Sequence, residues 1–112
     1  MLYLVGGTVE GKHVLFLGKD NSFQGSEDYS EAKKCLPNYR EHHGRGLTWS
    51  TSACLHWMQF DPKLFRFESL EEVEKVLKDK KIMSFGSIAG RMTGTYLKED
   101  YKPEVVGEAD LI

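Results

Sequence analysis

The sequence predicts an α+β domain with a mainly antiparallel sheet, built from two hairpins and covered by two or three helices. Short apolar runs bounded by glycine and polar turn residues recur near both ends of the chain, as in antiparallel strands. Two other segments begin with a helix-capping residue and continue with apolar residues at helical spacing. The 112 residues, 40% of them hydrophobic, suit one domain with its own core. We therefore expect residues 1–112 to form a single domain.

The N-terminal segment predicts the first hairpin. "LYLV" (2–5) is an apolar run that suits a buried strand, and "HVLFL" (13–17) is a second one. Gly6-Gly7 and "VEGK" (9–12) between them supply residues typical of turns. The polar stretch 18–25 is expected to be a loop that leads away from the second strand.

A first helix is predicted within "SEDYSEAKKCLP" (26–37). Ser26 is a suitable N-cap, and the acidic residues that follow it suit the positive end of the helix dipole. Pro37 is expected to end the helix, because proline cannot continue the hydrogen-bonding pattern. The residues predicted to face the core are Tyr29, Ala32 and Leu36.

The strongest local prediction is a helix over "SLEEVEKVLKDKK" (69–81). Ser69 and Glu72 have the spacing of a capping box, in which each side chain accepts a hydrogen bond from a free backbone N–H at the helix start. "LFRF" (64–67) before the helix is read as a strand. The apolar stripe expected to cover the sheet consists of Leu70, Val73, Val76 and Leu77.

A second hairpin is predicted after this helix, from "IMSFGSI" (82–88) and "MTGTYL" (92–97). Gly86 and Gly94 within these strands indicate bulges or close approach of another backbone. "EVV" (104–106) is expected to add a last short strand.

Charge and composition exclude several classes of protein. The formal net charge is −2, from 15 basic and 17 acidic residues, whereas general nucleic-acid binders carry a basic excess. No apolar run approaches the roughly 18 residues of a membrane span, and no signal peptide is recognised at the start. We therefore expect no membrane contact, a cytoplasmic location and reduced thiols at Cys35 and Cys54.

Residues 47–79 contain a Trp49-Ser50 step, Ala53, Phe67 and then the capped helix that begins with "SLEE". In these features the segment resembles a group of small phage-encoded accessory proteins of unknown function. This chain departs from the pattern by carrying extra residues, "HWMQFDPKLF", between the alanine and the phenylalanine. The resemblance implies an origin in a phage or other mobile element, and an accessory role such as binding or inhibiting a host protein. It carries over no catalytic residue.

The chemically densest stretch is "NYREHHGRGLTW" (38–49). Its arginines suit bidentate contacts with phosphate or carboxylate, and its glycines allow close approach of the backbone. We predict an exposed loop that binds an anion or a partner, together with one arginine of "GSIAGRMTG" (86–94). The predicted binding residues are Arg40, His42, His43, Arg45 and Arg91.

Aromatic residues around this stretch are candidates for an interface. Most of them are expected to enter the core, but "CLHWMQF" (54–60) is hard to bury completely with either a helical or a strand period. Tryptophan and tyrosine are frequent anchors of protein interfaces, and they can also stack on a nucleobase. The predicted interface residues are Tyr39, Trp49, Trp57 and Phe60, and the same surface would allow a homodimer.

Metal binding and catalysis are not expected. Cys54 and His56 are separated by one residue, which is closer than the ligand pairs of structural zinc sites, and the adjacent His42 and His43 point apart in regular structure. No nucleophile motif surrounds Cys54. We therefore expect no metal and no cofactor.

Three functions remain open, in order of preference. The first is a non-enzymatic phage-type accessory binding protein that inhibits a host enzyme or defence complex by protein–protein contact, in the host cytoplasm. The second is an oligomeric protein that sequesters a nucleotide or another anionic small molecule. The third is a small metal-dependent or thiol enzyme.

Overall fold

The computed structural model describes residues 1–36, 59–87 and 90–108. These residues form an antiparallel sheet of seven strands and two α-helices, with a short 3-10 turn at Lys19–Asn21. The strands are β1 (Leu2–Val9), β2 (Lys12–Leu17), β3 (Gly25–Ser26), β4 (Lys63–Phe67), β5 (Met83–Ser87), β6 (Gly90–Tyr96) and β7 (Glu104–Glu108). The helices are α1 (Tyr29–Lys33) and α2 (Leu70–Val76).

The α+β class with a mainly antiparallel sheet is confirmed. The finer description, two hairpins with two or three covering helices, stays a prediction, because residues 37–58 lie outside the described ranges. No helix in the described part of the chain has the length and apolar character needed to cross a bilayer.

Strand β1 lies near the middle of the sheet, whose order is β5-β6-β2-β1-β4-β7. The second half of β1 pairs with β2, and the first half pairs with β4. Strand β3 pairs with β1 at Tyr3 and Leu4, on the side that β2 leaves unpaired. All three strands that pair with β1 are therefore antiparallel to it, and they come from both halves of the sequence.

Both faces of the sheet are buried. Neighbours along a strand point to opposite faces, and in β1 and β2 the consecutive pairs Leu4-Val5 and Val14-Leu15 are all buried. The face covered by α1 contains Val5, Val14, Phe16, Leu64 and Phe85, packed with Ala32 and Leu36. The face covered by α2 contains Leu4, Leu15, Phe65, Phe67 and Leu97, packed with Val73.

The prediction of a turn at Gly6-Gly7 is wrong, because both glycines lie inside β1. A Cβ atom on Gly6 would overlap the Phe65 ring, and one on Gly7 would overlap the carbonyl oxygen of Phe60. The glycines therefore let a ring and a backbone pack against the strand. The turn lies at Glu10 and Gly11, whose positive φ angles of 52° and 80° suit the two central residues of a hairpin turn.

The start of α1 also differs from the prediction. Asp28, not Ser26, is the N-cap, and its carboxylate accepts a hydrogen bond from the Glu31 N–H at 3.1 Å. Ser26 belongs to β3, where it pairs with Tyr3. Both residue types cap helices well, so the strand pairing decides where the helix begins.

Candidate functional site

Most residues of the predicted binding loop and interface lie outside the described residues. These are Tyr39, Arg40, His42, His43, Arg45, Trp49 and Trp57. The backbone of Arg91 lies in β6 and pairs with Gly86 of β5. An anion site formed by these arginines and histidines therefore stays a prediction.

Phe60, one of the predicted interface residues, belongs to the core instead. Its side chain is only 7% exposed, and its ring centre lies 5.9 Å from that of Phe16 and 6.4 Å from that of Phe85. Its carbonyl oxygen accepts a hydrogen bond from the Thr8 N–H at 2.7 Å. Phe60 thus stabilises the α1 face of the sheet and offers little surface to a partner.

An apolar groove opens on the α2 face, next to the first residues of β1, and we call it the Leu70 groove. Its volume is about 440 Å³. Met1 and Leu70 at its sides are 54% and 51% exposed, although both are large and apolar. The described residues that line the groove are Met1, Leu2, Leu4, Phe23, Gly25, Glu27, Glu68, Ser69 and Leu70.

The helix α2 covers only part of the sheet face beside the groove. Seven helical residues extend roughly 10 Å, whereas the eight residues of β1 extend roughly 27 Å. Val73, in the middle of α2, is fully buried on the sheet, but Leu70, at its first turn, is half exposed. The apolar stripe predicted from the sequence is therefore packed at Val73 and open at Leu70. The predicted end of this helix at residue 81 is wrong, because the helix ends at Val76 and Leu77 is already extended.

A hydrogen-bond network fixes the start of α2 beside the groove. The Ser69 hydroxyl accepts from the Glu72 N–H at 3.3 Å, as the capping box predicts. The Glu72 carboxylate accepts from the Glu68 N–H at 2.7 Å, one residue before the position expected. The same carboxylate accepts from the Tyr101 hydroxyl at 3.1 Å. Leu70 is thus held on a helix end whose position is set by contacts from two directions.

The side of the groove formed by Gly25 of β3 is also held by hydrogen bonds. The Val5 N–H donates to the Gln24 carbonyl at 2.8 Å, and β3 continues this pairing along β1. A Cβ atom on Gly25 would overlap the Tyr3 carbonyl oxygen, so the residue at this position must be glycine or the two strands must separate. The floor and this wall of the groove are consequently parts of one hydrogen-bonded sheet.

The rim of the groove is acidic. Glu27 and Glu68 are exposed lining residues, and neither forms an ion pair with another residue in the described ranges. No lysine, arginine or histidine occurs among the described lining residues. On β7, by contrast, both glutamates have partners, since Arg66 pairs with Glu104 and Lys63 with Glu108. Apart from the α-amino group of Met1, the described lining residues therefore carry no positive charge to offset these carboxylates.

A second concavity, of about 330 Å³, lies at the other end of β1. Its described lining residues are Glu10, Gly11, Lys12, His13, Leu97, Lys98 and Glu99. Glu99 lies between two ammonium groups, 3.4 Å from that of Lys12 and 4.0 Å from that of Lys78. The charges here are partly balanced within the chain, which leaves less net attraction for an external ion.

The described residues provide little for catalysis or metal binding. They contain no group of three or more histidine, cysteine or acidic residues that could hold a metal ion. Cys35 carries a free thiol, and burial, followed by the Glu31 carboxylate, raises the pKa of that thiol. A raised pKa lowers the thiolate fraction and so makes a poor nucleophile.

Sequence reasoning did not identify the groove, because Leu70 and Leu2 look like core residues in the pattern. The signal that points to it is the position of Leu70 as the first residue of the stripe, directly after two acidic or capping residues, Glu68 and Ser69.

Comparisons with models of known protein families, with curated proteins and with solved structures gave no match.

Proposed function

We propose that the protein is a non-enzymatic accessory binding protein of the phage-encoded kind, which inhibits a host enzyme or defence complex by protein–protein contact. Its place of action would be the host cytoplasm. The observation that supports contact with a protein is the Leu70 groove, where Met1 and Leu70 are each more than half exposed beside an apolar floor. Contiguous exposed apolar surface of this kind is typical of interaction sites.

The energetics favour an apolar occupant. Full burial of a leucine or methionine side chain contributes about 1.5–3 kcal/mol relative to exposure. Because about half of Met1 and of Leu70 is exposed, covering each would contribute about 1 kcal/mol. The half-buried floor residues Leu2 and Phe23 would add to this as water leaves the groove.

Site-specific photocrosslinking in bacterial cells tests the proposal. A photoreactive amino acid at position 70 should yield a discrete protein–protein crosslink, because this side chain would lie inside the contact. Position 105 is the matched control, since Val105 is a similarly exposed apolar residue, at 44%, on the edge strand β7.

A crosslink that forms at position 70 and is lost when Leu2 or Phe23 is changed to glutamate, with the protein accumulating to the same level, would support the groove as the contact surface. Equal crosslinking at positions 70 and 105, or none at position 70 in any host tested, would contradict it.

A further inference from the structure

We infer that the Leu70 groove binds a basic amphipathic helix of the partner protein, with apolar side chains on the groove floor and lysine or arginine at the rim. This inference rests on the proposed function, because it takes the groove to be the contact surface. It adds the charge and the secondary structure of the occupant.

The charge follows from Glu27 and Glu68. Both lie at the rim of an apolar groove, and no described cation pairs with either carboxylate. An uncharged occupant would remove water from these carboxylates without replacing its hydrogen bonds, which is unfavourable. Lysine or arginine of an occupant would replace that water with charge-assisted hydrogen bonds.

Neighbouring residues extend the acidic rim. Asp28 follows Glu27, and Glu71 and Glu72 follow the lining residues 68–70. Asp28 caps α1 and Glu72 is engaged at the start of α2, but their negative charges remain. Apart from the α-amino group of Met1, the charges beside the groove are thus negative on both sides, and they disfavour an acidic occupant.

The secondary structure follows from the backbone around the groove. Tyr3 and Leu4 already pair with β3 on one side and with β4 on the other. At Tyr3 and Leu4 the floor strand therefore has no free edge to which a partner could add a strand. Above these two residues a partner reaches the floor with side chains that enter from above the sheet, which is how an amphipathic helix binds in a groove.

Three synthetic peptides of equal length test this inference. They share the same leucines on one helical face and carry lysine, glutamine or glutamate at all other variable positions. Fluorescence anisotropy at low salt would compare their binding to the whole protein. We expect the lysine peptide to bind about tenfold more tightly than the glutamine peptide, as two exposed ion pairs would give, and the glutamate peptide to bind most weakly.

Two matched double variants separate the rim from the overall charge of the protein. Glu27→Gln with Glu68→Gln should remove the preference for lysine over glutamine. Glu10→Gln with Glu99→Gln, at the second concavity, changes the net charge equally and should retain that preference. Equal loss in both variants would overturn the inference, since the attraction would then belong to the whole surface.

Leu70→Glu distinguishes failure of the inference from failure of the proposed function. If all three peptides bind equally and Leu70→Glu abolishes binding, the groove binds apolar segments regardless of charge, and only the inference is overturned. If no peptide binds in a way that depends on Leu70, the inference is also overturned, and the crosslink at position 70 decides the proposed function separately.

Discussion

The contrast between Val73 and Leu70 gives the sharpest test of how α2 sits on the sheet. Val73 is fully buried in the α2-face cluster, three residues after Leu70 on the same helix. Val73→Ala removes two buried methyl groups, which costs about 1.6 kcal/mol at about 0.8 kcal/mol for each buried carbon. The cavity left behind adds to this, so we expect a total loss of about 2–3 kcal/mol in the free energy of unfolding.

Leu70→Ala should cost less, although it removes more atoms. Leu70 is 51% exposed, so only about half of the three carbons removed counts as buried surface. That gives about 1 kcal/mol, from which the better helix propensity of alanine subtracts a few tenths. The larger side chain is therefore expected to show the smaller effect.

Urea denaturation followed by circular dichroism would measure both free energies. The dependence on urea concentration should stay constant, because neither change alters the surface exposed on unfolding by much. A loss at Leu70 that equals or exceeds the loss at Val73 would refute the reasoning, since Leu70 would then be buried and the groove closed.

Three further predictions concern other parts of the fold. Gly7→Ala should destabilise the protein by about 1–3 kcal/mol in urea melts through overpacking. Gly18→Ala, near only the flexible side chain of Gln24, should change stability by less than about 1 kcal/mol. Equal effects of the two changes would contradict the close contact at Gly7. Burial, followed by the hydrogen bond to Glu72, raises the pKa of Tyr101 to about 12. The stabilisation that the Tyr101 hydroxyl provides should therefore be present below pH 10 and lost as pH rises through 12. Ultraviolet titration against Tyr101→Phe should show this late ionisation, and ionisation near pH 10 would contradict it. Maleimide should modify Cys35 more slowly in the folded chain than in urea at pH 8, as peptide mapping would show, because burial raises the pKa of its thiol; equal rates would contradict this.

Local patterns predicted the strands well, because those patterns report burial directly, whereas both helices are shorter than predicted. The runs at 2–5, 13–17 and 64–67 are all strands, and each contains buried residues that face both sides of the sheet. The sequence also predicted a bulge or close approach of another backbone at Gly94. A Cβ atom there would lie 2.7 Å from the Leu15 carbonyl oxygen, which confirms the close approach.

The errors arise where a distant part of the chain decides the structure. Gly6-Gly7 is typical of a turn by composition, but both glycines lie in β1, where Phe60 and Phe65, more than fifty residues away in sequence, pack against them. Ser26 is a good helix cap by type, but its pairing with β1 takes it into the sheet. Neither contact leaves a trace in the local sequence.

The candidate site was missed for a related reason. A stripe of apolar residues on a helix predicts that something covers it, but it does not say how far the covered surface extends. Helix α2 buries Val73 on the sheet and leaves Leu70 half exposed beside the groove, whose other lining includes Gly25 of β3. These are properties of the assembled sheet, and no window of sequence contains them.

In helix α2, different residues are expected to contribute to stability and to binding, so mutations can test the proposed function without unfolding the protein. Val73 anchors the middle of the helix in the core, and the contacts of Glu72 with Glu68 and Tyr101 fix its first turn. Leu70 lies next to that fixed turn but contributes little to the core, because half of it is exposed. A change at Leu70 should therefore alter binding without unfolding the helix, and a loss of binding there would report on the contact surface itself.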